Sequence, residues 1–193
     1  MAFGGALKLF ELGGPLMWAI LLCSLFGAAV FAEGFSRLRK ELKALGRFDL
    51  DRGASGGGDA LVEVLSRRLS AYRGYPLRDF LELASRERDL LLGDLNWKIE
   101  ALSLVARSAP LLGLLGTVLG MISLFRRLPE AGPGDVALLS SGIWEAVLTT
   151  AFGLAVAVPA LAAEHALEGM TRRLEAGLER ACLEMLKGGD GGA

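Results

Sequence analysis

A single carboxylate, that of Glu145, lies in the long apolar stretch GIWEAVLTTAFGLAVAVPALAA at residues 142–163. A charge in the middle of a membrane-spanning helix costs about 2.5–3.5 kcal/mol. A glutamate avoids this cost by binding a proton, by facing a wet cavity or by pairing with a cation, and the three spans assigned below contain only one Lys or Arg, Arg107 at the start of the second. Glu145 is therefore a candidate residue of a proton or ion path. The alternative is a position among the lipid headgroups, because Glu145 lies about nine residues into its apolar run.

Small residues follow one face of each of the two later apolar stretches. In RSAPLLGLLGTVLGMISLF, Gly113, Gly116, Thr117 and Gly120 fall within a wedge of about 100° on an ideal helix. A second stripe, about 80° wide, comprises Gly142, Ala146, Thr150, Gly153, Ala157 and Ala160. Because small residues let helices approach closely in lipid, both faces are predicted to be helix-packing surfaces.

These residues belong to a chain with three stretches that are almost free of charge, and the helices formed by these stretches must position them. The first has 21 uncharged residues, the second has 18, and the third has 28 residues with Glu145 as its only charge. A bilayer core needs about 20 apolar residues in a helix. The sequence therefore predicts an all-α integral membrane protein with three transmembrane helices. Two alternatives fit less well: a soluble domain with three buried helices, since such helices rarely run so long without a charge, and a cleaved leader at the first stretch, since no basic cluster precedes it.

The composition argues against several other classes of function. A net charge of −1 offers no basic field for nucleic acid. The two cysteines, Cys23 and Cys182, and the single His165 fit neither a disulfide framework nor a metal site. No nucleophile–base pair or phosphate-binding loop is evident, so neither an enzyme nor a bound cofactor is predicted.

The orientation is predicted from Lys and Arg near the ends of the spans. Basic residues are numerous between the first two spans and after the third, whereas the opposite side has only Lys8, Arg126 and Arg127. The predicted order is a periplasmic N-terminus (1–11), a span (12–32), a cytoplasmic helical region (33–102), a span (103–125), a periplasmic loop (126–135), a span (136–163) and a cytoplasmic C-terminal helix and tail (164–193).

Two of the spans are predicted to extend into the cytoplasm as long helices. After Pro76 no breaker occurs before Pro110, and the third span continues through Leu167, Leu174 and Leu178 with helical spacing. Such apolar seams need partners, so a cytoplasmic helical bundle is predicted. Pro110 and Pro159 are predicted hinges within the two helices, because proline removes one backbone donor.

The motifs APLLGLLGTVLGMISLF and GIWEAVLTTAFGLAVAVPA, together with three spans and a large loop after the first, resemble the ExbB/TolQ family of the MotA/TolQ/ExbB proton-channel group. The resemblance is strongest over residues 107–163. It implies a homopentamer in the bacterial inner membrane, embedded in the lipid bilayer and surrounding a single-span ExbD- or TolR-like partner. Proton flow would then drive an outer-membrane process through a TonB- or TolA-like protein. The family's pore residues fall on Glu145, Thr117 and Thr150.

The sequence leaves open the partner of Thr150 and a competing function. Thr150 lies about 140° from Glu145 on an ideal helix, so both face one pore only if it is lined broadly. Thr150 can instead bond to the backbone of its own helix. The competing function is a membrane scaffold that assembles partner helices without conducting.

Overall fold

A computed structural model describes residues 14–46, 60–72, 76–131 and 136–189. These residues form four helices: α1 (Pro15–Leu45), α2 (Leu61–Ser70), α3 (Leu77–Ala131) and α4 (Val136–Gly189). No strand occurs among them, which confirms the all-α prediction. The predicted N-terminal segment (1–11) and the last four residues of the predicted periplasmic loop lie outside the described part of the chain.

Within the described residues, three helices are long and apolar enough to cross a membrane. They are found at Leu16–Leu45, Arg78–Pro129 and Val136–Met185. Their number agrees with the three predicted spans. Each candidate is longer than a bilayer requires, because each apolar stretch continues into a more polar helical extension.

The start of α1 is determined by a glycine and a proline. Gly14 has a φ of 69°, a left-handed conformation that glycine adopts without a side-chain clash. Its carbonyl accepts a hydrogen bond from the backbone N–H of Met17 at 3.2 Å. Pro15 then occupies the first helical position, where its missing N–H costs nothing.

The helices α3 and α4 run through their internal prolines. Pro110 and Pro129 lie inside α3, and Pro159 lies inside α4. The first six residues of the predicted loop (126–135) are helical, so α3 ends at Ala131. Hinge motion at Pro110 and Pro159 remains a prediction.

The helices contribute to two compact units. The first unit comprises Met1–Val30 and Glu100–Glu164. Val105, Ala106 and Ala160 form a buried cluster there, with Cys23 and Val156 packed against it. Most of the large apolar side chains elsewhere on this unit are exposed, among them Leu104, Leu111, Val118, Phe125, Trp144 and Val158. An exposed apolar exterior of this kind suits contact with lipid or with other membrane helices.

The second unit comprises Phe31–Ile99 and His165–Ala193. Its buried side chains come from all four helices and include Leu38, Leu65, Leu69, Phe80, Leu92, Leu95, Leu167, Leu174 and Leu178. In α2 the buried face includes Val62 and Ser66, whereas Val64 is only half-buried. The N-terminus of α2 has no cap from its own residues, and the carboxylate of Glu41 accepts the Leu61 N–H at 2.8 Å instead.

Candidate functional site

Two threonine hydroxyls meet where α3 packs on α4 in the first unit. The Oγ1 atoms of Thr117 and Thr150 are hydrogen-bonded to each other. Thr150 Oγ1 also lies 2.9 Å from the carbonyl oxygen of Gly113, and Thr117 Oγ1 lies 3.1 Å from that of Ala146, so both carbonyls are within hydrogen-bond distance. A longer contact of 3.4 Å joins Thr117 Oγ1 to the Gly113 carbonyl of its own helix. The predicted pore threonines are thus neighbours, and Thr150 bonds to the opposite helix rather than to its own backbone.

Glycines bring the two helix backbones close enough for these bonds. A Cβ atom added to Gly113 would lie 3.0 Å from both Thr149 O and Thr150 Cα. A Cβ on Gly153 would lie 2.6 Å from the carbonyl oxygen of Ala109. The distance at Gly153 is shorter than real Cβ atoms show and the distances at Gly113 are tighter than most, so larger residues at either position would push the helices apart.

The same contact extends along both helices. A Cβ on Gly120 would lie 3.1 Å from the Cβ of Ala146, and one on Gly142 would lie 2.7 Å from Leu124 Cδ1. Ala146 and Ala157 are buried. The structure thus places Gly120, Gly142, Ala146, Gly113 and Gly153 at contacts between α3 and α4 within one chain.

Thr149, which the sequence analysis did not single out, occupies the space that Gly116 leaves open. Its side chain is only 2% exposed, and its hydroxyl donates to the Ala146 carbonyl at 2.7 Å. A Cβ on Gly116 would lie 2.6 Å from Thr149 Oγ1. In the sequence, the only indication of the Gly116–Thr149 pair is that Thr149 is a second threonine next to Thr150. Helical spacing alone does not show which glycine Thr149 faces.

Glu145 is half-buried in the same unit, near the start of α1. Its Oε1 atom lies 3.2 Å from the position that a Cβ on Gly14 would occupy. The side-chain hydrogen bonds described for Thr117 and Thr150 join them to each other, to Gly113 and to Ala146. The structure therefore brings the two threonines together and places the carboxylate of Glu145 beside Gly14.

A cluster of charged side chains in the second unit was not predicted as a group. Lys98 is only 3% exposed, and its Nζ donates to Glu33 at 2.8 Å and to Asp94 at 2.9 Å. Arg37 forms a further ion pair with Asp94. Gly34 lies beside this cluster, where an added Cβ would make an ordinary contact with Lys98 Cδ at 3.5 Å but a tight one with Leu167 Cδ1 at 3.0 Å.

The interactions of this cluster shift two pKa values. The hydrogen bond from Lys98 has the largest effect on Asp94 and lowers the pKa of its carboxyl, although burial acts in the opposite direction. Burial alone would lower the pKa of Lys98, but its hydrogen bonds to Glu33 and Asp94 outweigh burial and raise that pKa. Lys98 is therefore a charged residue balanced by two carboxylates from different helices.

Among the described residues, no group of three or more His, Cys, Asp or Glu side chains is arranged to hold a metal ion. The arrangement at α3 and α4 instead offers hydroxyl and carbonyl groups within apolar helices. Such groups can bind and orient a proton carrier by hydrogen bonding.

The chain is similar to known proteins along much of its length. Residues 63–180 match the family model described as the MotA/TolQ/ExbB proton channel family. The chain is 30% identical over 188 residues to the biopolymer transport protein exbB1 of Vibrio cholerae, covering 86% of this chain and 80% of that protein. It is 29% identical over 170 residues to a putative biopolymer transport protein ExbB homolog of Methanothermobacter thermautotrophicus, covering 81% of this chain and 60% of that protein. Over 90 residues it is 34% identical to the Tol-Pal system protein TolQ of Pseudomonas aeruginosa, covering 47% and 37% of the two chains.

Proposed function

The chain belongs to the MotA/TolQ/ExbB proton channel family, and on that premise we propose that it is a motor subunit driven by the proton motive force. It would act in the bacterial inner membrane with a single-span ExbD- or TolR-like partner. Together they would energise an outer-membrane process of the TonB or Tol-Pal type through a TonB- or TolA-like protein. Relatives named for biopolymer transport and for the Tol-Pal system support both branches.

The observation that carries this proposal is the hydrogen-bonded pair Thr117–Thr150 between two apolar helices. Helices that only pack need small residues, and this interface has them. The two hydroxyls add donor and acceptor groups in a region where polar groups are costly to bury. We propose that they line the path along which the proton moves.

Glu145 is proposed to face the central pore in the outer half of the membrane. The third span begins near Val136 on the periplasmic side of the proposed topology, and Glu145 lies about 13 Å further along at 1.5 Å per residue. Two acids in a dry pore disfavour double ionisation, so Glu145 and an Asp of the partner would share or exchange one proton. We assign Glu145 a tuning or gating role and the partner's Asp the role of principal carrier.

The assembly is proposed to be a homopentamer around the partner helix. Its N-terminus would be periplasmic, and residues 33–102 and the C-terminus would be cytoplasmic. The exposed apolar side chains of α3 and α4 in the first unit support contacts with lipid or neighbouring subunits.

The test is Glu145→Gln, which keeps the size of the side chain and removes its titration. Proton-driven activity, measured with the partner present, is expected to collapse while the mass of the assembly stays unchanged. Glu168→Gln is the matched control, because Glu168 is a half-buried partner of Arg172 in the second unit. Full activity of Glu145→Gln would refute the role of Glu145 and favour the non-conducting scaffold.

A further inference from the structure

We propose that Thr149 is a positioning residue that sets the hydrogen-bond order of the Thr117–Thr150 pair, an inference that rests on the proposed proton path. Thr149 contacts the pair through a shared acceptor. Its hydroxyl donates to the Ala146 carbonyl at 2.7 Å, and the same carbonyl lies 3.1 Å from Thr117 Oγ1. The role of Thr149 therefore depends on how many donors the Ala146 carbonyl can accept.

The two hydroxyls of the pair have fewer protons than acceptors within reach. A threonine hydroxyl donates one hydrogen bond and accepts up to two. Contacts link Gly113 O, Thr150 Oγ1, Thr117 Oγ1 and Ala146 O in a row. Two protons cannot fill three links. With the central link filled, either Thr117 donates to Thr150 and Thr150 donates to Gly113, or Thr150 donates to Thr117 and Thr117 donates to Ala146, which at 3.1 Å is a nearer acceptor for Thr117 than Gly113 O at 3.4 Å.

Thr149 decides between these two orders. In an α-helix the Ala146 carbonyl also accepts the backbone N–H four residues later. With the Thr149 hydroxyl as a second donor, both lone pairs of this carbonyl are used. Donation from Thr117 to Ala146 is then disfavoured, and the order that runs from Thr117 through Thr150 to Gly113 prevails.

This order determines which threonine offers open lone pairs. Within the pair, Thr117 donates one hydrogen bond and accepts none, so both lone pairs of its hydroxyl oxygen stay available. Thr150 has already accepted one hydrogen bond. In the proposed topology Ala146 lies on the periplasmic side of this row. A hydronium ion or a protonated carboxyl of the partner arriving from that side would meet an acceptor in Thr117 rather than a competing donor.

Gly116 makes the position of Thr149 possible. Only a residue without a Cβ leaves room for the Thr149 side chain, because a Cβ at Gly116 would lie 2.6 Å from Thr149 Oγ1 and 2.7 Å from its Cβ. Thr149 is consequently buried with one defined hydrogen bond. Gly116 and Thr149 form a packing pair whose polar atom acts on the neighbouring hydroxyls.

The experiment compares Thr149→Val with Thr149→Ser. Valine has nearly the same shape as threonine without the hydroxyl, and serine keeps the hydroxyl without the methyl group. Each variant is reconstituted with the single-span partner in vesicles, and proton flux under a potassium diffusion potential is followed with a pH-sensitive dye. Thr149→Val is expected to reduce the flux roughly 2- to 10-fold, the population change expected for one net hydrogen bond. Thr149→Ser should restore the flux to near wild type.

Assembly mass and melting temperature are measured for both variants. If the role of Thr149 were purely structural, these two quantities would change whether or not the variant keeps the hydroxyl. Wild-type flux in Thr149→Val, or equal loss in Thr149→Ser, would overturn the inference. If Thr149→Val does not assemble, Thr149→Ala against Thr149→Ser makes the same comparison. Glu145→Gln in the same vesicles separates a failure of the role of Thr149 from a failure of the proposed function. An inactive Glu145→Gln with a fully active Thr149→Val refutes only the role of Thr149, and full flux in Glu145→Gln refutes only the role of Glu145. Absence of proton flux in the wild type with its partner would refute the proposed proton path.

Discussion

Replacing Gly153 by alanine tests a close approach between the backbones of α3 and α4. The added Cβ would lie 2.6 Å from the carbonyl oxygen of Ala109, 3.0 Å from Gly113 Cα and 3.2 Å from Gly113 N. All three are backbone atoms, which cannot turn aside as the end of a flexible side chain can. The substitution therefore requires α4 to move away from α3.

The magnitude follows from a comparison with Gly169→Ala in the same helix. A Cβ on Gly169 meets no atom within 4 Å. Both substitutions gain about 0.5–1 kcal/mol of helix stability, because alanine has less backbone freedom to lose than glycine. This gain cancels in the comparison. Gly153→Ala is thus expected to be less stable than Gly169→Ala by about 1–3 kcal/mol, the usual cost of overpacking.

The assay is thermal unfolding of the detergent-extracted protein, followed by loss of helical circular dichroism, with the mass of the assembly measured alongside. Gly169→Ala should melt at or above the wild-type temperature, and Gly153→Ala should melt below both. Equal melting temperatures for the two variants would show that the backbones of α3 and α4 do not approach this closely.

Three further predictions address packing, charge and topology. Gly116→Leu should disrupt the oligomer, because a branched side chain collides with Thr149; wild-type mass and stability after detergent extraction would contradict this. Ionised Asp94 stabilises the second unit, because its pKa is lowered in the folded state. That contribution is present above the ordinary Asp value of 3.8 and is lost as the pH falls through the lowered pKa. Melting curves below about pH 4 should therefore fall more steeply for the wild type than for Asp94→Asn, and parallel curves would argue against the ion pair. Cysteine labelling should place residues 5 and 132 on the periplasmic side and residue 57 in the cytoplasm. All three lie outside the described part of the chain. Labelling of residue 132 from the cytoplasm would rule out three spans.

The helical class was predictable because it depends on local properties of the sequence. Length, absence of charge and helical period each report on neighbouring residues, and they were sufficient for three apolar helices with long extensions. The end of α3 was less predictable, since the loop was expected from residue 126, where the uncharged stretch ends, but the helix continues through Pro129 to Ala131. Proline blocks the hydrogen bond to the residue four positions earlier and leaves the rest of the helix possible.

For the candidate site, the sequence predicted which residues share a helix face but not which residues on α3 and α4 contact each other. Helical geometry placed Gly113, Gly116 and Thr117 on one side of their helix, but the register against α4 is a long-range property. It decides that Gly116 faces Thr149 and that Thr150 reaches Gly113. For the same reason Lys98 contributed only a positive charge to the orientation argument, although it is buried between carboxylates 65 and 4 positions away in the chain.

Helix packing and proton chemistry are not independent explanations of the α3–α4 interface. In an apolar environment a threonine hydroxyl needs a partner, and Thr150 reaches the Gly113 carbonyl of the other helix because glycines let the backbones approach. A scaffold would need the glycines but would tolerate the loss of a hydroxyl or a carboxyl. A proton path needs both sets of residues. Gly153→Ala should therefore impair stability and activity together, whereas Glu145→Gln and Thr149→Val should impair activity with assembly intact. If only the glycine substitutions had an effect, the interface would serve assembly alone.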